Sequence, residues 1–337
     1  MIFSGTRLKK PLLFVALACL LAALWYLDWV RFAIHLAAGQ WGDRPAARTS
    51  LDLASYHVAI EARPIEGLKR NASGLTYNPV TGTLFAAINR PPMIAELSTE
   101  GQLLRRIALP LMVDSEGITH VEGELFAVSD ESHNQLHWLR IRPGAQEAEV
   151  VGSTGLEVDF SHRKNLGFEG VSWDEVRGEL LVVNEKWPQR VLAVRGLDPG
   201  SSLEAASGLE VSDWSARSWL GLLGRDLASL TTHAPTGNLL TLSEESAIVT
   251  EYSRGGEVLG VLPLWRGLGG LKRTAPQAEG VAIGPDEAIY IISEPNLFYV
   301  FRKSAVQEEV RRVANQLPVD AATADGTGAS SQPVPPS

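Results

Sequence analysis

Five segments of the chain repeat one pattern, and a repeat of this kind leaves few folds open. They are "ASGLTYNPVTGTLFAAINR" from Ala72, "SEGITHVEGELFAVSDE" from Ser115, "FEGVSWDEVRGELLVVNEK" from Phe168, "LASLTTHAPTGNLLTLSEE" from Leu227 and "AEGVAIGPDEAIYIISEP" from Ala278. Their third residues, Gly74, Gly117, Gly170, Ser229 and Gly280, are 43, 53, 59 and 51 residues apart. Each segment carries two short runs rich in β-branched and other apolar residues about a turn of Gly, Asp, Asn or Pro, which is a hairpin pattern. A third run comes next, and usually a fourth: "MIAELST" and "LLRRIAL" in the first unit, "QLHWLRI" and "EAEVVGS" in the second, "IVTEYS" and "EVLGVLPL" in the fourth. Four short strands in a unit of roughly 40–50 residues describe a β-propeller blade. The last unit has three runs before Lys303, while a spare strand, "YHVAIEARPI" at 56–65, precedes the first. Pairing the spare strand into the last blade closes the ring and leaves no open sheet edge. The expected fold is therefore all-β, a five-bladed propeller over residues 51–303, with six blades disfavoured by the count.

Blade geometry then converts the repeat into a site. The innermost strand of a blade begins at the face where the second strand ends, because the two form a hairpin whose turn lies on the other face. The residue before each aligned glycine and the residue ending each second strand should meet near the axis. The first column reads Ser73, Glu116, Glu169, Ala228, Glu279, and the second Asn89, Asp130, Glu185, Glu244, Glu294. A single acid at a strand end is ordinary turn chemistry. Seven carboxylates in ten positions exceed what 39 Asp and Glu in 337 residues would place there. Carboxylates gathered on one axis must be spread, protonated or neutralised by a cation. Hard oxygen donors without Cys or His select Ca²⁺ first and Mg²⁺ or Mn²⁺ next, and disfavour Zn²⁺ and Cu²⁺.

One residue beyond the second column stand Arg90, Glu131, Lys186, Glu245 and Pro295. Arg90 and Lys186 either balance the acids or hold a small anionic ligand, so with Glu185 they are the candidates if the site is catalytic. No single acid stands out as a general base. The sequence has no G-x-S-x-G, G-x-x-x-x-G-K-[ST] or H-E-x-x-H, which removes the common serine-hydrolase, P-loop and zincin signatures. His133 and His137 have helical ligand spacing but fall in or beside a strand, where solvated or packed roles are expected.

The formal net charge of −9 argues against nucleic acid as a partner. The single cysteine, Cys19, lies in an N-terminal apolar run, so the folded part has neither an intrachain disulfide nor a thiolate metal site. Arg7, Lys9 and Lys10 precede that run, and Trp25, Tyr26 and Trp29 end it. Basic residues first and aromatic residues last suit a single-pass anchor in a bacterial inner membrane, with the rest of the chain in the periplasm. A cleaved signal peptide is the alternative, but the run continues well past Cys19. The expected organisation is a cytoplasmic N-terminus at 1–10, an anchor at 11–30, a linker at 31–50, the propeller at 51–303, a short extension at 304–317 that could be helical, and a disordered tail at 318–337.

The pieces "SGLTYNPVTGTLFAAIN", "DSEGI", "GFEGV", "DLASL", "LLTLSEES" and "AEGVAI…YIISEPNLFYVF" resemble the SdiA-regulated family of YjiK-like propellers. With an exported, anchored chain, the resemblance extends to the CarP calcium-regulated propellers. It covers nearly all of residues 50–303 and implies a five-bladed propeller with a calcium site, a role in calcium-linked physiology and a distant similarity to phytase-like hydrolases. Ala228 and Ser229 depart from the family pattern, so the fourth blade is expected to rely on Asp226. Two functions are expected on this basis: a calcium-binding sensor or docking platform for a protein partner, and a calcium-dependent phosphoester or lactone hydrolase.

Overall fold

The computed structural model describes residues 9–26, 33, 50–133, 135–155, 168–184, 189–197, 209–214 and 224–304. Among them, twenty strands form five four-stranded antiparallel sheets. Blade 1 holds β2 (Ala72–Asn78), β3 (Thr83–Ile88), β4 (Met93–Leu97) and β5 (Leu103–Ala108). Blade 2 holds β6 (Ser115–Glu122), β7 (Leu125–Asp130), β8 (Gln135–Arg140) and β9 (Glu149–Gly155). Blade 3 holds β10 (Phe168–Asp174), β11 (Glu179–Asn184), β12 (Arg190–Arg195) and β13 (Glu210–Trp214). Blade 4 holds β14 (Ser229–His233), β15 (Asn238–Ser243), β16 (Ile248–Tyr252) and β17 (Val258–Pro263). Blade 5 is β18 (Ala278–Ile283), β19 (Ile289–Ser293) and β20 (Leu297–Lys303), completed by β1 (Tyr56–Pro64). The spare N-terminal strand thus closes the ring on β20.

The second strand of each blade is sandwiched between neighbouring blades, so it reads as a continuous apolar run rather than an alternation. Every residue of β7, β11, β15 and β19 is buried. At the rim the pattern relaxes, as in β13, which has no buried residue. The apolar side chains collect between blades: Phe85 of blade 1 against Phe126 of blade 2, Trp138 of blade 2 with Leu180 of blade 3, and Leu181 of blade 3 with Leu239 of blade 4. The ring continues with Leu240 of blade 4 and Ile289 of blade 5, then Tyr290 of blade 5 and Leu84 of blade 1.

Toward the axis the inner strands approach too closely for side chains. A Cβ on Gly117 would lie 2.4 Å from the Glu169 carbonyl oxygen, and one on Gly280 would lie 2.6 Å from that of Ser73. This contact, rather than any ligand, accounts for the glycine column. Ser229 is tolerated in the fourth blade, where its Oγ accepts the amide of Val281 at 3.4 Å.

At the N-terminus α1 runs Lys9–Tyr26 and leaves Leu12, Leu13, Phe14 and Leu20 exposed. Among the described residues no helix is long and apolar enough to cross a membrane. The anchor expected at 11–30 is not supported in that form. The 18 residues of α1, two of them lysines, extend about 27 Å at the α-helical rise, short of a hydrocarbon core of roughly 30 Å. Residues 27–30, most of the linker, and positions 305–337 lie outside the described residues.

Candidate metal centre

Irregular strand pairing builds the acidic end of the axis. In blade 1, Ala72 faces Ile88 and Leu75 faces Ala86, so Ser73 and Gly74 together oppose one residue. The same slip occurs at Glu116–Gly117 and Glu169–Gly170, and Glu279 is the extra residue in blade 5. A bulge of this kind re-aims the side chain it carries. An acid beside a glycine is therefore the local signature of a side chain turned out of the ladder where the backbones nearly touch.

Around the bulges of blades 1, 2 and 5 the hairpin ends are tied by main-chain bonds: Asn89 N to Asn71 O at 3.1 Å, Glu131 N to Asp114 O at 3.0 Å and Glu294 N to Gln277 O at 2.9 Å. In the fourth blade a side chain takes this role. Asp226 accepts from the amides of Glu244 at 3.1 Å and Glu245 at 3.0 Å, and from the Ser243 hydroxyl.

The expected residues of several blades face one another here. Asn89 Nδ2 donates to Glu116 Oε1 at 2.8 Å. Burial pushes the Glu116 carboxyl up to about 7; the bonds from Asn89 and Ser73 oppose the rise, and the charges of Asp114 and Glu131 add to it. Glu279 is pushed up to about 8, by burial first and then by the negative charges of Glu244, Glu116, Glu294 and Asp226. Burial also raises Asp226, against its three hydrogen bonds. Buried acids elsewhere are compensated. Glu179 lies 2.7 Å from Arg195 Nε, and Glu251 accepts from Asn238 Nδ2 at 2.7 Å and from the Leu51 amide at 2.9 Å.

Two further acids, Asp114 and Glu131, complete the tightest group among the described residues. One oxygen each of Asp114, Glu116 and Glu131 lie within 4.8 Å of one another. Asp114 is only 8% exposed, and its Oδ1 is buried without a hydrogen-bond partner. Asn71 Oδ1 and Asn89 Oδ1 share that condition. Buried acceptors without donors are uncommon in folded proteins, and a hard cation satisfies them. The donor set is oxygen throughout, which fits Ca²⁺ or Mg²⁺ and not a soft metal. A third column, Asn71, Asp114, Gly167, Asp226 and Gln277, could have revealed Asp114, since Asp226 occupies the equivalent place in blade 4. Glu131 stands in the position considered above only for its cations.

Other expected residues are placed differently. Asp130 is fully buried, and its Oδ2 accepts the Val113 amide and meets His133 Nδ1, each at 3.1 Å, so that oxygen closes a loop. Its Oδ1 has no hydrogen-bond partner. Glu169 sits in the bulge of β10, where its carbonyl accepts the Ser129 hydroxyl at 3.1 Å. Arg90 pairs with Asp114 Oδ2 at 3.5 Å, and Ser132 Oγ donates to the same oxygen at 3.0 Å. Glu185 and Lys186 lie outside the described residues. His137 bonds Ser153 Oγ through Nδ1 at 2.7 Å, so the two histidines are engaged separately.

Solved structures similar to this chain are described with several different activities. A calcium-binding regucalcin from Agrobacterium tumefaciens matches at 12% identity and a TM-score of 0.44 over 73% of this chain and 93% of its own. A streptogramin B lyase matches at 9% and 0.43 over 76% and 100%. A luciferin-regenerating enzyme matches at 12% and 0.44 over 74% and 96%. Likeness at this level decides no ligand and no reaction. A family model is decisive: it matches residues 48–302, a stretch running through all five blades, and the chain belongs to the SdiA-regulated family.

Proposed function

We propose that the protein is a calcium-binding propeller whose acidic end holds the ion off the axis, at the junction of blades 1 and 2. The carboxylates of Asp114, Glu116 and Glu131 would hold it, with Asn89 orienting Glu116. Glu279, Glu244, Glu294 and Asp226 form the acidic surround. The observation that carries this reading is the buried, partnerless Oδ1 of Asp114 beside two further carboxylates. When bound, the ion supplies charge neutralisation and ties the start of β6 to the end of β7, which stabilises the propeller by mass action. Its face could then be read by a partner as a calcium-dependent surface.

Sensing or docking is favoured over hydrolysis because, of the two cations expected to hold an anionic substrate, Arg90 is the one among the described residues, and it is engaged by Asp114. Attachment to the inner membrane with the propeller in the periplasm is part of the proposal. The exposed apolar side chains of α1 favour contact with lipid, and residues beyond Tyr26 would have to complete any span. Calorimetric titration of calcium into the metal-stripped protein, with magnesium present, tests the binding claim. Saturable heat that Asp114→Asn abolishes supports it, and equal affinity in the variant refutes it.

A further inference from the structure

The inner strands have a second end. About 13 Å along β2 from Ser73, at four residues of strand rise, a cavity of about 320 Å³ receives residues from all five blades. Its size is that of a small-molecule site. The walls are tied together by hydroxyl groups: Thr76 Oγ1 accepts the His120 amide at 3.1 Å, Thr119 Oγ1 that of Trp173 at 2.9 Å, and Ser172 Oγ that of Thr232 at 3.0 Å. The cavity is preformed by the same strand-to-strand contacts that build the ring.

Its chemistry is close to neutral. Among the described residues no Lys or Arg lines it and Glu175 is its one carboxylate, so these residues lack what a phosphate or carboxylate ligand requires. His120 Nε2 lies 3.1 Å from the Gly123 carbonyl, so that nitrogen carries the proton and Nδ1 is left as an acceptor. Burial lowers the pKa of this imidazole and keeps it uncharged. Tyr77 has no hydrogen-bond partner for its hydroxyl among the described residues, and the hydroxyl hydrogen of Thr76 has no acceptor among them. Trp173 is half-buried, and its indole is fixed edge-on against Trp138, with centroids 6.3 Å apart at 81°. The cavity therefore combines one held aromatic ring, two spare donors and two acceptors.

We propose that this end of the propeller binds a neutral polyhydroxylated ring of monosaccharide size. Its apolar face rests on Trp173, and its hydroxyls reach Thr76, Tyr77, His120 and Glu175. The site is separate from the metal centre and does not require it.

The test is saturation-transfer NMR followed by calorimetry on the full, metal-stripped chain, with galactose, glucose, N-acetylglucosamine and myo-inositol as probes and glucose 6-phosphate as the charged control. Saturable binding of at least one neutral probe is expected, with glucose 6-phosphate weaker than glucose. Trp173→Ala should weaken it about tenfold or more, exposed Glu175→Gln about threefold, and Asp114→Asn not at all. If Trp173→Ala does not fold, Glu175→Gln and Tyr77→Phe decide. Absence of binding by every neutral probe, preference for glucose 6-phosphate, or indifference to these variants would overturn the proposal.

Discussion

The two ends of the inner strands are built from the same five segments and have opposite chemistry. At the end where the strands begin, pairing is bulged, and Glu116 and Glu279 are held where their neighbours are also acids. At the end where they finish, the ladder is regular in blade 1, Tyr77 facing Leu84 and Asn78 facing Thr83, and hydroxyls bridge the blades. One end gathers buried acids, and the other is close to neutral and lined by hydroxyl groups. The contrast lies in what the strands carry at their tips, on a single framework of close backbone contacts. A propeller can thus specialise its two openings independently.

Removing the shared framework should have the largest effect. Gly117→Ala drives a Cβ to within 2.4 Å of the Glu169 carbonyl, so unfolding in urea should show a loss of about 3 kcal/mol, with both ends impaired together. Next, Asp114→Asn combined with Glu116→Gln should lower calcium affinity about a hundredfold or more. The metal-free variant should be no less stable than the parent, because repulsion and buried charge have been removed. A calorimetric titration paired with a thermal melt reads both, and preserved affinity would erase the proposed difference between the ends.

The third effect concerns pH. Glu116 and Glu279 have folded-state values raised from 4.5 to about 7 and about 8. A raised acid binds its proton more tightly when folded, so its contribution to stability is complete below pH 4.5 and is lost as pH rises through 7 to 8. The melting temperature of metal-free protein should fall across that window through these groups, and saturating calcium should flatten the fall. A metal-free profile in which Glu116→Gln with Glu279→Gln leaves the slope unchanged would contradict the electrostatic account. The smallest effect is expected for Arg90→Ala. Its side chain is 72% exposed and pairs with Asp114, so stability should change by less than about 1 kcal/mol while calcium affinity rises slightly.

Much of the fold was legible because the propeller writes itself as a repeat. Spacing located the hairpins, and the orphan run at 56–65 located the closure on β20. The two acidic columns were legible for the same reason. Which acids gather was not, because it depends on local satisfaction: Asp130 shares a column with Glu244, yet one of its oxygens is taken up by the Val113 amide and His133. Asp114 escaped because it precedes the strand and is brought in by the main-chain bond from Glu131. The second end was invisible, since Thr76, Thr119 and Ser172 read as ordinary strand residues until their inter-blade bonds are seen. The N-terminal anchor was read from the apolar run with basic residues before it and aromatic residues at its end, whereas the described helix of 18 residues spends two of them on lysines.

The central claim is that the acidic end is a calcium site at the junction of blades 1 and 2. The most direct measurement is a crystal structure grown with calcium, with the ion identified by its anomalous signal. The account predicts one ion with oxygens of Asp114, Glu116 and Glu131 at roughly 2.3–2.6 Å. An ion held by other residues, or none at saturating calcium, would contradict it.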